Sequence, residues 1–432
     1  MSREALFRKI IAHAKECRCI FMLALASTSI CLSAQENPVK GKAEFCLWAI
    51  SDPHVFSDLY LRQKEIERID PDRQYMSPES GMIPRIDARE NLSEAILQSE
   101  SENGFYWDIA VCPGDYSGSH DLPTDLEGRE VVKQFSRLRK HTREAIYSVA
   151  GNHDASIGNQ WFQKWIDPMG INSEHSGVNN EQRPFPVEGT WERYSFRVGN
   201  ILFLMLSDRN DFAPPVGCIV GNHATGGHPP GAVTVETFNW WKRKVLTEPD
   251  ETIIITVHHH MLKETTIGSG EWEGYPENWK SPEGHGDRRY HGFMEEDGEH
   301  NKGAGYLYWL VDDSVDPIQT IPDARTFEQF LAENPGIIDF WIGGHTHTDP
   351  GDRKNGRTQV EKKWGVHFIN VAALSIHHGG DHSQPLSRLF TFSEGSNEVR
   401  IQCYLHTNRF APQGWYEPAD RLLQITNPFK WE

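Results

Sequence analysis

Short, unbroken apolar runs that stop abruptly at polar residues constrain this chain most. Residues 45–50 run apolar into Ser51-Asp52, 107–112 into Pro113-Gly114-Asp115, and 144–150 into Gly151-Asn152-His153-Asp154. Further on, the β-branched run 251–257 leads into His258-His259-His260, and 337–342 ends at Gly343-Gly344-His345-Thr346-His347. Runs of this length between turn formers suit strands buried on both faces, as in a parallel sheet covered by helices. Helical spacing recurs between them at 91–99, 130–139, 235–246 and 327–332, the last stopping before Pro335. Gly199-Asn200 separates 194–198 from 201–206 as a hairpin turn would, 366–373 reads as a further strand, and 388–392 with 399–405 reads as a second hairpin.

Length alone, 432 residues, permits two or three domains. No linker, internal repeat or low-complexity tract divides the chain, so one layered α/β domain over 44–380 is the economical reading. Residues 381–432 then form a C-terminal hairpin and tail on the same domain. Three insertions, 55–88, 208–232 and 263–304, are rich in Gly, Pro, Asp and aromatic residues. Loops this long inside a domain are usually functional or disordered.

The first 34 residues read differently. Arg3, Arg8, Lys9, Lys15 and Arg18 precede an apolar stretch from Cys19 to Ala26 and small residues down to Ala34. This predicts a signal peptide cleaved after Ala34 and a secreted or periplasmic protein, the alternative being an amphipathic first helix. No stretch reaches the roughly 18 apolar residues of a spanning helix. With a formal charge of -18 for the whole chain, removal of that basic leader leaves the body at about -21. Such a charge repels polyphosphate backbones, so no nucleic-acid polymer is expected as a partner. Of the seven cysteines, Cys46 and Cys112 fall in expected core strands and read as buried thiols, while a disulfide at Cys218 has no support.

Polar residues cluster where the apolar runs end, and in open α/β sheets sites gather beyond the carboxyl ends of strands. A mix of carboxylate, amide and imidazole donors suits borderline divalent ions such as Zn, Mn or Fe. One shared carboxylate can bridge two of them.

Asp52-Pro53-His54, Gly114-Asp115, Gly151-Asn152-His153-Asp154, His258 after a strand and Gly344-His345-Thr346-His347 together resemble the calcineurin-like metallophosphoesterase motif set. They stand in that family's order over roughly 44–375. The resemblance implies an α/β fold built as a four-layer αββα sandwich of two mixed β-sheets, with flanking helices and long loop insertions. It also implies two metal ions (Fe, Mn or Zn), divalent or trivalent. Asp52, His54 and His347 would hold the first ion and Asn152, His258 and His345 the second, with Asp115 bridging. Because a strand alternates its faces, the three consecutive histidines cannot all reach one ion. His258 is preferred for its place at the strand end, and His259 is the reserve. His153 would protonate the leaving group, with Asp154 orienting its ring, while a hydroxide shared by the two ions attacks phosphorus. Purple acid phosphatases carry a tyrosine three residues after the bridging aspartate; Gly118 stands there, which argues against a coloured ferric enzyme.

Other features stay open. Arg209 in Asp208-Arg209 would suit either a phosphate or a surface ion pair. Trp272, Tyr275, Trp279, Tyr290 and His291 would form either an aromatic lid or ordinary loop packing, and a lid favours diesters or nucleotides. His120, His377, His378 and His382 read as solvated loop histidines, and Gly221-Asn222-His223 as a loop. The resulting expectation is an exported dinuclear enzyme acting on small phosphomonoesters or phosphodiesters. A catalytically silent, metal-stabilised binding module of the same fold is the alternative.

Overall fold

Alternation along the apolar runs decides which core each side chain enters. The computed structural model describes residues 42–57, 60–62, 82–84, 90–118, 122–213, 216–220, 223–225, 230–270, 305–353, 356–375, 384–406 and 413–431. The leader at 1–34, the aromatic residues of the third insertion, His120 and the histidines at 377, 378 and 382 lie outside them. In chain order the strands that carry the argument are β1 (Glu44–Ala49), β2 (Ile109–Cys112), β3 (Ile146–Ser148), β4 (Ile201–Leu206), β5 (Ile253–His258), β6 (Phe340–Gly343) and β7 (Val366–Asn370). The helices are α1 (Asn91–Ser99), α2 (Asp125–Phe135), α3 (Gln160–Trp165), α4 (Val235–Thr247) and α5 (Thr326–Glu333).

Two large mixed sheets form the body of the described residues. In the first, β1, β2 and β3 run parallel, and Leu386–Ser393 and Glu398–Leu405 continue from β1 antiparallel. In the second, β4, β5, β6 and β7 are parallel neighbours, flanked by the antiparallel strands Arg193–Val198 and Val360–Lys363. Phe45, Leu47 and Ala49 of β1 share one core with Phe203 of β4, with Ile253, Ile255 and Val257 of β5, and with Phe340 of β6. Phe45 meets Phe203 edge-on with ring centroids 6.4 Å apart, and Phe340 meets Phe390 at 6.0 Å. The intervening side chains point the other way. Cys46 and Trp48 pack with Ile96, Val131 and Phe162 of α1, α2 and α3. Ile254 packs with Trp241 of α4 and Phe327 of α5. The described residues therefore form an α/β fold in which helices cover the faces that the two sheets do not share.

Most expected elements appear, with shifted ends. The helix expected at 130–139 begins earlier, at Asp125. Thr124 caps it, accepting from the Glu127 N–H, while Glu127 reaches back to the Thr124 N–H at 2.7 Å. The expected strand at 144–150 shortens to β3 behind a 3-10 turn, Arg143–Ala145. His223, expected in a loop, opens a short strand, His223–Thr225, paired with Cys218–Val220. Cys46, Cys112 and Cys403 are buried free thiols. Among the described residues, no helix is long and apolar enough to cross a membrane.

Candidate metal centre

The parallel strands of both sheets deliver their carboxyl ends to one place. Asp52 and His54 follow β1, Asp115 follows β2, Asn152 and His153 follow β3, His259 follows β5, and His345 and His347 follow β6. His347 Nε2 lies 3.0 Å from Asp52 Oδ1 and 3.2 Å from His54 Nε2. Asp115 Oδ2 lies 3.7 Å from His54 Nε2 on one side and 3.0 Å from His259 Nε2 on the other. His259 Nε2 is also 3.0 Å from the Asn152 amide oxygen. Asp115 thus stands between two donor sets, both buried.

Backbone conformation at these positions is unusual. Asp52, His54, Asp115 and His345 have φ of 50°, 40°, 57° and 66°, the left-handed region that non-glycine residues rarely occupy. Such strain persists only where the surroundings enforce it, and it concentrates at functional sites. Glycine appears where backbone must pass a carboxylate. A Cβ on Gly344 would lie 2.2 Å from Asp52 Oδ2.

The donor chemistry fits metal ions. His54 Nδ1 lies 2.8 Å from the Ser117 carbonyl, and His259 Nδ1 lies 3.1 Å from the Pro113 carbonyl. Each carbonyl accepts a hydrogen bond from Nδ1–H, the tautomer that turns the Nε2 lone pair toward the carboxylates. One donor atom each from Asp52, His54 and His347 lie within 4.8 Å of one another, as do those of Asp52, Asp115 and His259. Burial disfavours charge on Asp52, but His259, His347 and His54 outweigh it and hold the carboxyl well below its ordinary range. Asp115 is likewise held down, against burial, by His259, His153 and His54. Burial works against a proton on His259, yet Asp115 and Asp52 raise it to about 10.

Two expectations need correction. His258, preferred from the sequence, does not face this centre. Its Nδ1 accepts from the His260 N–H at 3.0 Å, and its ring lies beside Trp341 on the helix-covered side of β5. Burial lowers it to about 4. His259 takes the place expected of it, because inward-facing Ile253, Ile255 and Val257 set the parity and the strand runs one residue further than expected, to His258. Asp154 was expected to orient the His153 ring. Its carboxylate instead accepts from the backbone N–H groups of Asp115, Tyr116, Ser117 and Gly151 at 2.8–3.0 Å, bracing the loops that carry Asp115 and Asn152. Burial and Asp115 push it up to about 7 against the pull of those donors.

His153 itself sits against His54, ring centroids 4.7 Å apart, and its N–H donates to Asp115 Oδ1 at 2.8 Å. Arg209 is engaged by Asp211 and Glu192 at 2.7 Å each, beside Trp191 and Phe212, an ion pair that is buried rather than at the surface as expected. Tyr116 turns into the helix-side core and meets Ser148 Oγ at 2.7 Å. At Gly118 any Cβ would lie 2.6 Å from the Val55 carbonyl. Sequence reasoning missed His260 and Asp208, whose ring and carboxylate approach at 2.9 Å behind His345. The signal was present in the unbroken histidine triplet and in an aspartate two residues past β4.

A family model described as calcineurin-like phosphoesterase matches residues 47–349. No curated protein matches the chain. Among solved structures, Vacuolar Protein Sorting 29 from Cryptosporidium parvum aligns with 89% of this chain and 100% of its own at 10% identity and a TM-score of 0.28. Phosphopantetheinyl hydrolase from Mycobacterium tuberculosis aligns with 77% of this chain and 90% of its own, at 14% identity and 0.29. Vps29 from Chaetomium thermophilum aligns with 89% and 100%, at 8% identity and 0.28. At such scores these superpositions bear on neither substrate nor mechanism.

Proposed function

Because the chain belongs to the calcineurin-like phosphoesterase family, we propose that it is an exported, dinuclear metal-dependent phosphoesterase hydrolysing small phosphomonoesters or phosphodiesters. The observation that carries this reading is Asp115, whose Oδ2 lies between His54 Nε2 and His259 Nε2. Asp52, His54 and His347 would hold one ion, and Asn152, His259 and His345 the other. Two such ions supply an activated water and neutralise phosphate charge. The chain's own part is to hold the donors apart at fixed distances, to set the imidazole tautomers through Ser117 and Pro113, and to keep the Asp115 loop braced on Asp154. His153, next to His54 and Asp115, would give a proton to the leaving oxygen.

The test is metal analysis of the purified protein together with turnover of p-nitrophenyl phosphate and bis(p-nitrophenyl) phosphate. Two bound ions with release of phenolate from either ester is the expected result. Two ions without turnover of either would leave the silent binding module. Hydrolysis of carboxylic esters alone would remove the phosphoesterase reading. His153→Ala should keep its metals and lose rate mainly on esters with basic leaving groups; equal loss on the activated aryl esters would remove His153 as acid. Export is read by N-terminal sequencing of the protein made with its leader, which should begin at Gln35.

A further inference from the structure

Three consecutive histidines end β5, and the proposed centre uses only His259. His258 is turned into the helix-side core, but His260 is not. Its ring lies 4.0 Å, centroid to centroid, from that of His345 and 4.9 Å from that of His259. One donor atom each from His259, His260 and His345 lie within 4.8 Å of one another. All three are buried.

His260 also has a carboxylate beside its ring, at ion-pair distance rather than in hydrogen-bonding geometry. Asp208 Oδ2 lies 2.9 Å from His260 Nδ1. That carboxylate is itself fixed, its Oδ1 accepting from the Asn210 N–H at 3.0 Å and from the Asn210 side-chain amide at 2.6 Å, and its Oδ2 from the Ala232 N–H at 3.2 Å. A carboxylate this close to one ring nitrogen favours a proton there and leaves the lone pair of the other nitrogen for an ion. The ring has room because residue 231 lacks a side chain; a Cβ on Gly231 would lie 2.6 Å from His260 Cγ. The Trp341 indole N–H donates to the His260 carbonyl at 3.0 Å, anchoring the backbone at that point.

We propose that His260, backed by Asp208, is an additional ligand of the ion held by His259, His345, Asn152 and Asp115, so that the two ions occupy chemically unequal sites. The inference rests on the dinuclear reading above. One ion then has two imidazoles and two carboxylates, from His54, His347, Asp52 and Asp115. The other has three imidazoles, one amide oxygen and a single shared carboxylate. Imidazole favours Zn, Cu, Fe or Ni, whereas carboxylate oxygen favours Mn or Mg. The nitrogen-rich site should therefore select Zn and leave the oxygen-rich site open to Mn.

The experiment is a metal titration of the whole chain, stripped and reloaded with Zn²⁺, Mn²⁺ or both, followed by calorimetry and elemental analysis. Wild type should take up two ions, and one Zn with one Mn from an equimolar mixture. His260→Ala should bind one ion as before and the other at least about tenfold more weakly, losing the preference for Zn at that site. Asp208→Asn should weaken the same ion in the same direction. Zinc-edge X-ray absorption of wild type with one equivalent of Zn should resolve three imidazoles, a readout that needs no variant to fold. Wild type with two imidazoles at that zinc, or a His260→Ala protein binding both ions unchanged, overturns the role of His260 and leaves the dinuclear reading standing. Wild type that binds no ion at all overturns both.

Discussion

At the scale of single residues, β5 shows how one step along a strand separates a ligand from a core residue. Ile253, Ile255 and Val257 face the other sheet, so His259 continues toward Asp115 while His258 continues toward Trp341. His259→Ala is expected to lose one of two bound ions, whereas His258→Ala should keep both; elemental analysis of the two variants distinguishes them. Equal metal content in both variants would put the parity argument in error. Asp154 makes a different residue-scale point. Four backbone donors converge on its carboxylate, so Asp154→Asn places an amide N–H₂ against N–H groups and leaves donors unmet. Each buried donor left without an acceptor costs about 1–3 kcal/mol, and a chemical melt of the variant should show at least that loss.

Among elements, α2 is tied to the centre by its first turn. The Thr124 hydroxyl caps the helix, and Glu127 takes the Thr124 N–H with one carboxylate oxygen while the other accepts from Ser117 Oγ at 2.7 Å. Ser117 in turn offers the carbonyl that sets the His54 tautomer. Thr124→Ala should therefore cost about 1 kcal/mol in urea unfolding, the ordinary value of an N-cap. Glu127→Ala should cost more and also weaken metal binding, because it frees the Ser117 loop. Glu127→Ala with unchanged metal affinity would show that the helix end and the centre are independent. The capping box was legible in the sequence as Thr124 followed three residues later by Glu127. It lies outside the helix that apolar spacing predicts, because that spacing begins only beyond it.

For the whole molecule, two features offer direct tests of stability. Phe203 stacks on Phe196 at 4.5 Å and meets Phe45 of the opposite sheet, so Phe203→Ala should cost about 3–5 kcal/mol and lower unfolding of both sheets in one transition. His406 joins α1 to the first sheet, its ring nitrogens 2.9 Å from Gln98 Oε1 and 2.8 Å from Ser387 Oγ, and burial lowers it to about 3. A histidine whose folded value lies below its unfolded one contributes stability above about pH 6.5, and that contribution falls as pH drops toward about 3. Denaturant melts should lose up to about 1.4 kcal/mol per pH unit in that window from this group, and His406→Gln should flatten the slope. The two-sheet α/β fold was legible because each buried strand is an apolar run with abrupt polar ends, a pattern set by hydrophobicity and β-branching alone. Asp52, His54, Asp115, Asn152, His345 and His347 were legible too, since they stand in short motifs at those ends. The sequence by itself determined the buried strands of the two large sheets, their order along the chain and the donors that stand in motifs at their ends. Only the tertiary structure decided that His259 rather than His258 faces Asp115, that Asp154 serves backbone N–H groups, and that Asp208 stands behind His260. Those choices depend on which face of each strand meets the other sheet and on how the loops at the strand ends pack, and both are settled between residues distant in sequence.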